Sequence, residues 1–68
     1  MKLSTRNQIK ATVTSVSQGE AIANVEMDAG GQRLVASITV EAARELGLEA
    51  GREVTALIKA SDVMVAVD

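Results

Sequence analysis

No phenylalanine, tyrosine, tryptophan, cysteine or histidine occurs among the 68 residues of this chain. That absence limits the possible folds more than any motif does. The 47% hydrophobic fraction is left to Ala, Val, Ile, Leu and Met, so the core has to be assembled from small aliphatic pieces. Full burial of a Val, Leu or Ile contributes about 1.5–3 kcal/mol, and Ala much less. A chain shorter than roughly 70–80 residues rarely draws more than about 3–5 kcal/mol from one core, and usually adds disulfides, a structural metal or association. Without cysteine or histidine, disulfides and the usual zinc-ligand sets are excluded. One domain spanning residues 1–68 is therefore expected, with part of its apolar surface buried against other subunits.

The formal net charge is −2. Nucleic-acid binders generally carry a basic face that neutralises several phosphates, and single-strand binders stack bases on aromatic rings. This chain has neither, so no nucleic-acid partner is expected. No apolar run approaches the roughly 20 residues of a membrane span, and the N-terminus lacks the apolar stretch of a signal peptide. The expected location is the cytoplasm, with no membrane partner.

Hydrophobic periodicity predicts five strands and one short helix. Ile9, Ala11 and Val13 alternate with Lys10, Thr12 and Thr14, the two-residue period of a half-buried strand over about Gln8 to Val16. A second strand, about Ala21 to Met27, puts Ala21, Ala23, Val25 and Met27 on one face, and Asp28-Ala29-Gly30-Gly31 closes a hairpin. Paired glycines accept the positive φ angles of tight hairpin turns. The third strand, about Arg33 to Val40, leads into a helix with Thr39 as N-cap, Glu41 in its first turn and Gly47 as its left-handed C-terminal residue. A fourth strand covers Glu53 to Lys59 and a fifth Val63 to Val67. This order is that of an all-β, five-stranded Greek-key barrel of the OB type, with the helix between strands three and four. Strands four and five are apolar on both faces, as in strands covered on both sides. In so small a barrel the second cover has to be another chain.

Catalytic residues are not expected, and the protein is not read as an enzyme. Glu26 and Asp28 are the nearest carboxylate pair, but spacing by two on a hairpin strand describes a solvated face better than an acid–base pair. Gly30-Gly31 lacks the glycine spacing and following helix of a phosphate loop. Two polar stretches remain, Ser4-Thr5-Arg6-Asn7-Gln8 and Lys59-Ala60-Ser61-Asp62. Each joins a hydroxyl residue to a cation. A tetrahedral oxyanion requires hydroxyl and backbone N–H donors together with positive charge. The plainer reading is a polar N-terminus, a surface arginine and an ordinary turn. The two readings part on whether the stretches meet, within a closed barrel or across a subunit boundary.

Three segments carry a family resemblance: Ser4-Thr5-Arg6-Asn7-Gln8-Ile9-Lys10, Leu46-Gly47-Leu48-Glu49-Ala50-Gly51-Arg52-Glu53-Val54 and Ile58-Lys59-Ala60-Ser61-Asp62-Val63-Met64. In this order and spacing the chain resembles the molybdenum-pterin-binding (Mop) domain of the molbindins, which is related to TOBE domains. The resemblance implies a homohexamer, a trimer of dimers, that binds molybdate or tungstate at subunit interfaces for molybdenum storage and homeostasis. It implies no organic cofactor and no metal ligands, since the molybdenum is held as its oxyanion. By position, Ser4 and Arg6 come from one subunit, with Thr5 contributing mainly its backbone. Thr39 and Lys59 come from a neighbour, and Ala60 and Ser61 lend N–H groups, with the Ser61 hydroxyl as a further candidate donor. Ala42 departs from the pattern, standing where family members often place a serine. The alternative from a different class is a ligand-free oligomerisation or protein-interaction module.

Overall fold

A computed structural model describes residues 2–68, and the alternating segments become an antiparallel sheet. Strand β1 spans Asn7–Gln18, β2 Ile22–Ala29, β3 Gln32–Thr39 and β4 Glu53–Ile58, with helix α1 at Val40–Glu45. The sheet order is β3-β2-β1-β4, which is mostly-β, OB-type architecture with one short helix. Long β1 serves two partners. Its first half pairs with β4, from Asn7↔Ile58 to Thr12↔Glu53, and its second half with β2, from Thr12↔Asp28 to Gln18↔Ala23. At the changeover the register shifts between Val13 and Ser15. Such a bulge bends the strand and re-aims its side chains, so Ala11 and Val13 point inward, followed by half-buried Val16.

Local rules act at the turns as the sequence predicts. Ala29 pairs with Gln32 across Gly30 and Gly31, whose φ angles of 60° and 89° suit a two-residue hairpin. Thr39 Oγ1 accepts the Ala42 N–H at 3.0 Å and caps α1. At the other end Gly47 takes φ 63°, while the N–H groups of Gly47 and Leu48 donate to the carbonyls of Arg44 and Ala43. This is a Schellman stop, with Leu48 packed near Ala43.

The core is as small as the composition requires. Ala11, Val13, Val25 and Met27 form its centre, and Ala23 of β2 with Val40 and Ala43 of the helix a second group. The largest fully buried side chains are Val13 and Val25. Neither Ile9 nor Ala21, both expected on the inner face, is buried.

Among the described residues the expected fifth strand is not formed, and the strand count is four. Val63–Val67 follows a single 3-10 turn at Ala60–Asp62 and pairs with nothing, leaving Met64 95%, Val65 88% and Val67 92% exposed. A strand needs a ladder partner, and the edges that would receive one, on β3 and β4, stand apart. Between them lies an apolar groove of about 500 Å³, lined by Leu34, Ala36, Ile38, Val54, Ala56 and Ile58 among others. The barrel of one chain is open along this groove.

Candidate functional site

Asn7↔Ile58 is the last pair of the β1–β4 ladder. The next residues outward are Arg6 on one strand and Lys59 on the other, so Ser4-Thr5-Arg6 and Lys59-Ala60-Ser61 come to the same sheet end within one chain. Two side chains fix this end. Asn7 Nδ2 donates to the Ile58 carbonyl at 3.1 Å, across 51 residues of sequence, and Gln8 Nε2 donates to the Thr5 carbonyl at 3.2 Å. Neither Asn7 nor Gln8 was assigned a role from sequence, although both lie in the first polar stretch. The available signal was their position beside Arg6.

Lys59 is extended, with φ −60° and ψ 137°, and leads into the 3-10 turn. The turn is held by Asp62 N–H to the Lys59 carbonyl at 2.9 Å and Val63 N–H to the Ala60 carbonyl at 3.3 Å. The first N–H groups of any helical turn lack an internal partner. Those of Ala60 and Ser61 find no backbone acceptor among the described residues. Both stretches face solvent, only Thr5 and Asn7 being half-buried.

Thr39 does not join them. It ends β3 opposite Ile22, the first residue of β2, and thus lies toward the Gln18 end of β1 rather than the Asn7 end. The grouping of Thr39 with Lys59 implied by the resemblance is not produced by the register of a single chain. Because Thr39 Oγ1 accepts a hydrogen bond as the cap of α1, its hydroxyl proton is left to donate elsewhere.

Among the described residues the one ion pair joins Arg33 to Glu26. Arg6 and Lys59 are uncommitted, but so are Lys10, Arg44 and Arg52. Adjacency, not the lack of a partner, sets Arg6 and Lys59 apart. The two carboxylates nearest in sequence, Glu26 and Asp28, have structural employment. Arg33, hydrogen-bonded to Glu26, holds that carboxyl below its ordinary value, with a smaller contribution from Ser15. Asp28 Oδ1 accepts the Gly31 N–H at 3.1 Å in the hairpin. No group of three or more potential metal ligands occurs among the described residues, and no helix is long and apolar enough to cross a membrane.

Residues 3–65 match the TOBE domain model. The chain belongs to the TOBE-domain family. Within that family it aligns over its whole length with a probable molybdenum-pterin-binding protein of Haemophilus influenzae, 45% identical over 69 residues and covering 100% of each chain. A molybdate-binding protein from Sporomusa ovata superposes with a TM-score of 0.94 at 42% identity, covering 98% of this TOBE chain and 100% of the other. The cytoplasmic molybdate-binding protein ModG, in a form with molybdate bound, gives a TM-score of 0.85 at 46% identity, over 88% of this chain and 43% of ModG. These relatives of the TOBE chain are binding proteins.

Proposed function

We propose that this protein binds molybdate or tungstate as the intact oxyanion, at interfaces between subunits of a homo-oligomer, and serves molybdenum storage and homeostasis in the cytoplasm. The observation that carries this reading is the register of β1 and β4, which brings Arg6 beside Lys59 and next to two uncommitted N–H groups. Two cations match a divalent anion, and the hydroxyls of Ser4 and Ser61 extend the donor set. Charge-assisted hydrogen bonds of this kind are about twice as strong as neutral ones. The similarity to molybdate-binding proteins supplies the identity of the anion.

One chain presents these groups on an open surface, so it offers half a site. Thr39, on the far side of the sheet, has to be supplied by another subunit. The apolar groove between β3 and β4 and the uncovered Val63–Val67 segment support self-association, since both are apolar and neither has a partner within one chain. A homohexamer arranged as a trimer of dimers is the assembly proposed. An anion bridging two chains stabilises the assembled state by mass action. Discrimination against sulfate rests on cavity size, because the two ions share charge and shape and molybdate is larger.

Calorimetric titration with molybdate, and with sulfate in parallel, tests the reading. Binding of molybdate more tightly than sulfate is expected. Equal or absent binding sinks it, and an assembly that never retains an oxyanion in native mass spectrometry favours the ligand-free oligomerisation module.

A further inference from the structure

The two hydrogen bonds at the proposed site end share a geometry. Asn7 holds the carbonyl of Ile58, the residue immediately before Lys59, and Gln8 holds the carbonyl of Thr5, the residue immediately before Arg6. A peptide unit is planar. Fixing the carbonyl of one residue therefore fixes the N–H of the next and the direction in which its Cα leaves the plane. Two consecutive residues of β1 thus clamp the peptide planes that launch the two cations. We infer that Asn7 and Gln8 are positioning residues of the oxyanion site, acting through Lys59 and Arg6 respectively without touching the anion.

The inference rests on the proposed oxyanion reading and adds to it a reason why flexible side chains on an exposed surface can present a defined half-site to a neighbouring subunit. A lysine side chain has many rotamers to lose on binding, and a mobile backbone beneath it would add more disorder. The Asn7 clamp is half-buried whereas the Gln8 clamp is exposed, so the Asn7 effect should be the larger. The N–H groups of Ala60 and Ser61 lie in the next two peptide planes, which are held separately by the turn bonds from Asp62 and Val63 to the Lys59 and Ala60 carbonyls. A cavity of fixed width separates a larger from a smaller oxyanion, and a loosened one does so less well.

The test is a double-mutant cycle on the full-length assembly, read by calorimetry. Asn7→Ala should weaken molybdate binding about 2- to 12-fold, the span of one hydrogen bond's net contribution, and lower the ratio of molybdate to sulfate affinity. In the Lys59→Ala background the same substitution should have an effect below about twofold, because its route to the anion is already gone. Gln8→Ala should couple in the same way to Arg6→Ala. Asn7→Asp, nearly isosteric but unable to donate when ionised, provides a second variant if Asn7→Ala assembles poorly. An Asn7 effect that persists at full size without Lys59, or a molybdate-to-sulfate ratio unchanged in Asn7→Ala and Asn7→Asp, overturns the inference while leaving molybdate binding intact. Absence of molybdate binding to the unmodified protein instead defeats the underlying reading.

Discussion

Replacing Lys59 by alanine should move two measurable quantities in opposite directions. Lys59 and Arg6 flank the last β1–β4 pair, and like charges facing each other across neighbouring strands cost about 0.2–1 kcal/mol. Without anion, Lys59→Ala should melt at or slightly above the unmodified protein. With anion, the variant loses a hydrogen bond to a charged group, about 1.5–3 kcal/mol, equivalent to a Kd about 10- to 150-fold weaker. Molybdate at 100 times the original Kd stabilises the unmodified protein by about 2.7 kcal/mol, whereas after a roughly 30-fold loss the same concentration gives about 0.9 kcal/mol. For a domain of this length, where 1 kcal/mol corresponds to roughly 4–8 °C, the molybdate-induced shift in Tm falls from roughly 10–20 °C to roughly 4–7 °C. Differential scanning fluorimetry with an external dye, at one protomer concentration and one ionic strength, reads both quantities. An unchanged molybdate shift removes Lys59 from the site. A fall in anion-free Tm as large as the lost molybdate shift assigns Lys59 a structural role instead.

Ala42→Ser restores a hydroxyl next to the Thr39 cap and should tighten molybdate binding by about 0.5–1.5 kcal/mol; unchanged affinity in calorimetry places residue 42 outside the site. Val25→Ala removes two methyl groups from a side chain that is 1% exposed and should cost about 1.5–3 kcal/mol in chemical denaturation, most of what a core this small supplies. A loss under about 0.5 kcal/mol would contradict the packing around Val13 and Val25. Glu26, lowered by Arg33, contributes stability that is present above the ordinary carboxylate range and lost as pH falls through its folded midpoint. Arg33→Gln should raise that midpoint toward the ordinary value in an NMR titration, and an unmoved midpoint refutes the pairing.

The features legible in the sequence were those decided within a few residues. Thr39 as cap, Gly47 as stop and Gly30-Gly31 as turn each follow from local backbone chemistry, and all three occur. The bulge between Val13 and Ser15 was not legible, because it arises where β1 exchanges one partner for another. A period-two pattern read along a single segment assumes that the partner stays in register. The site follows the same division. Its residue types could be picked out, but the adjacency of Arg6 and Lys59 depends on a pairing across most of the chain, and the resemblance grouped Lys59 with Thr39 instead.

The unformed fifth strand and the half-site proposed above share one feature. Val63–Val67 has the composition of a strand, but a strand is a relation between two segments, and one chain leaves both this segment and the groove between β3 and β4 unpaired. Likewise Thr39 has a hydroxyl proton to donate but stands at the wrong end of the sheet from Lys59. Both deficits are met if subunits close one another's barrels and complete one another's sites. The residues joining the two are Lys59-Ala60-Ser61, which follow β4, carry the proposed donors and lead through the 3-10 turn into the uncovered segment. Anion binding and subunit closure then act on the same turn, so an aliphatic chain with a marginal core would gain stability from the ligand it holds.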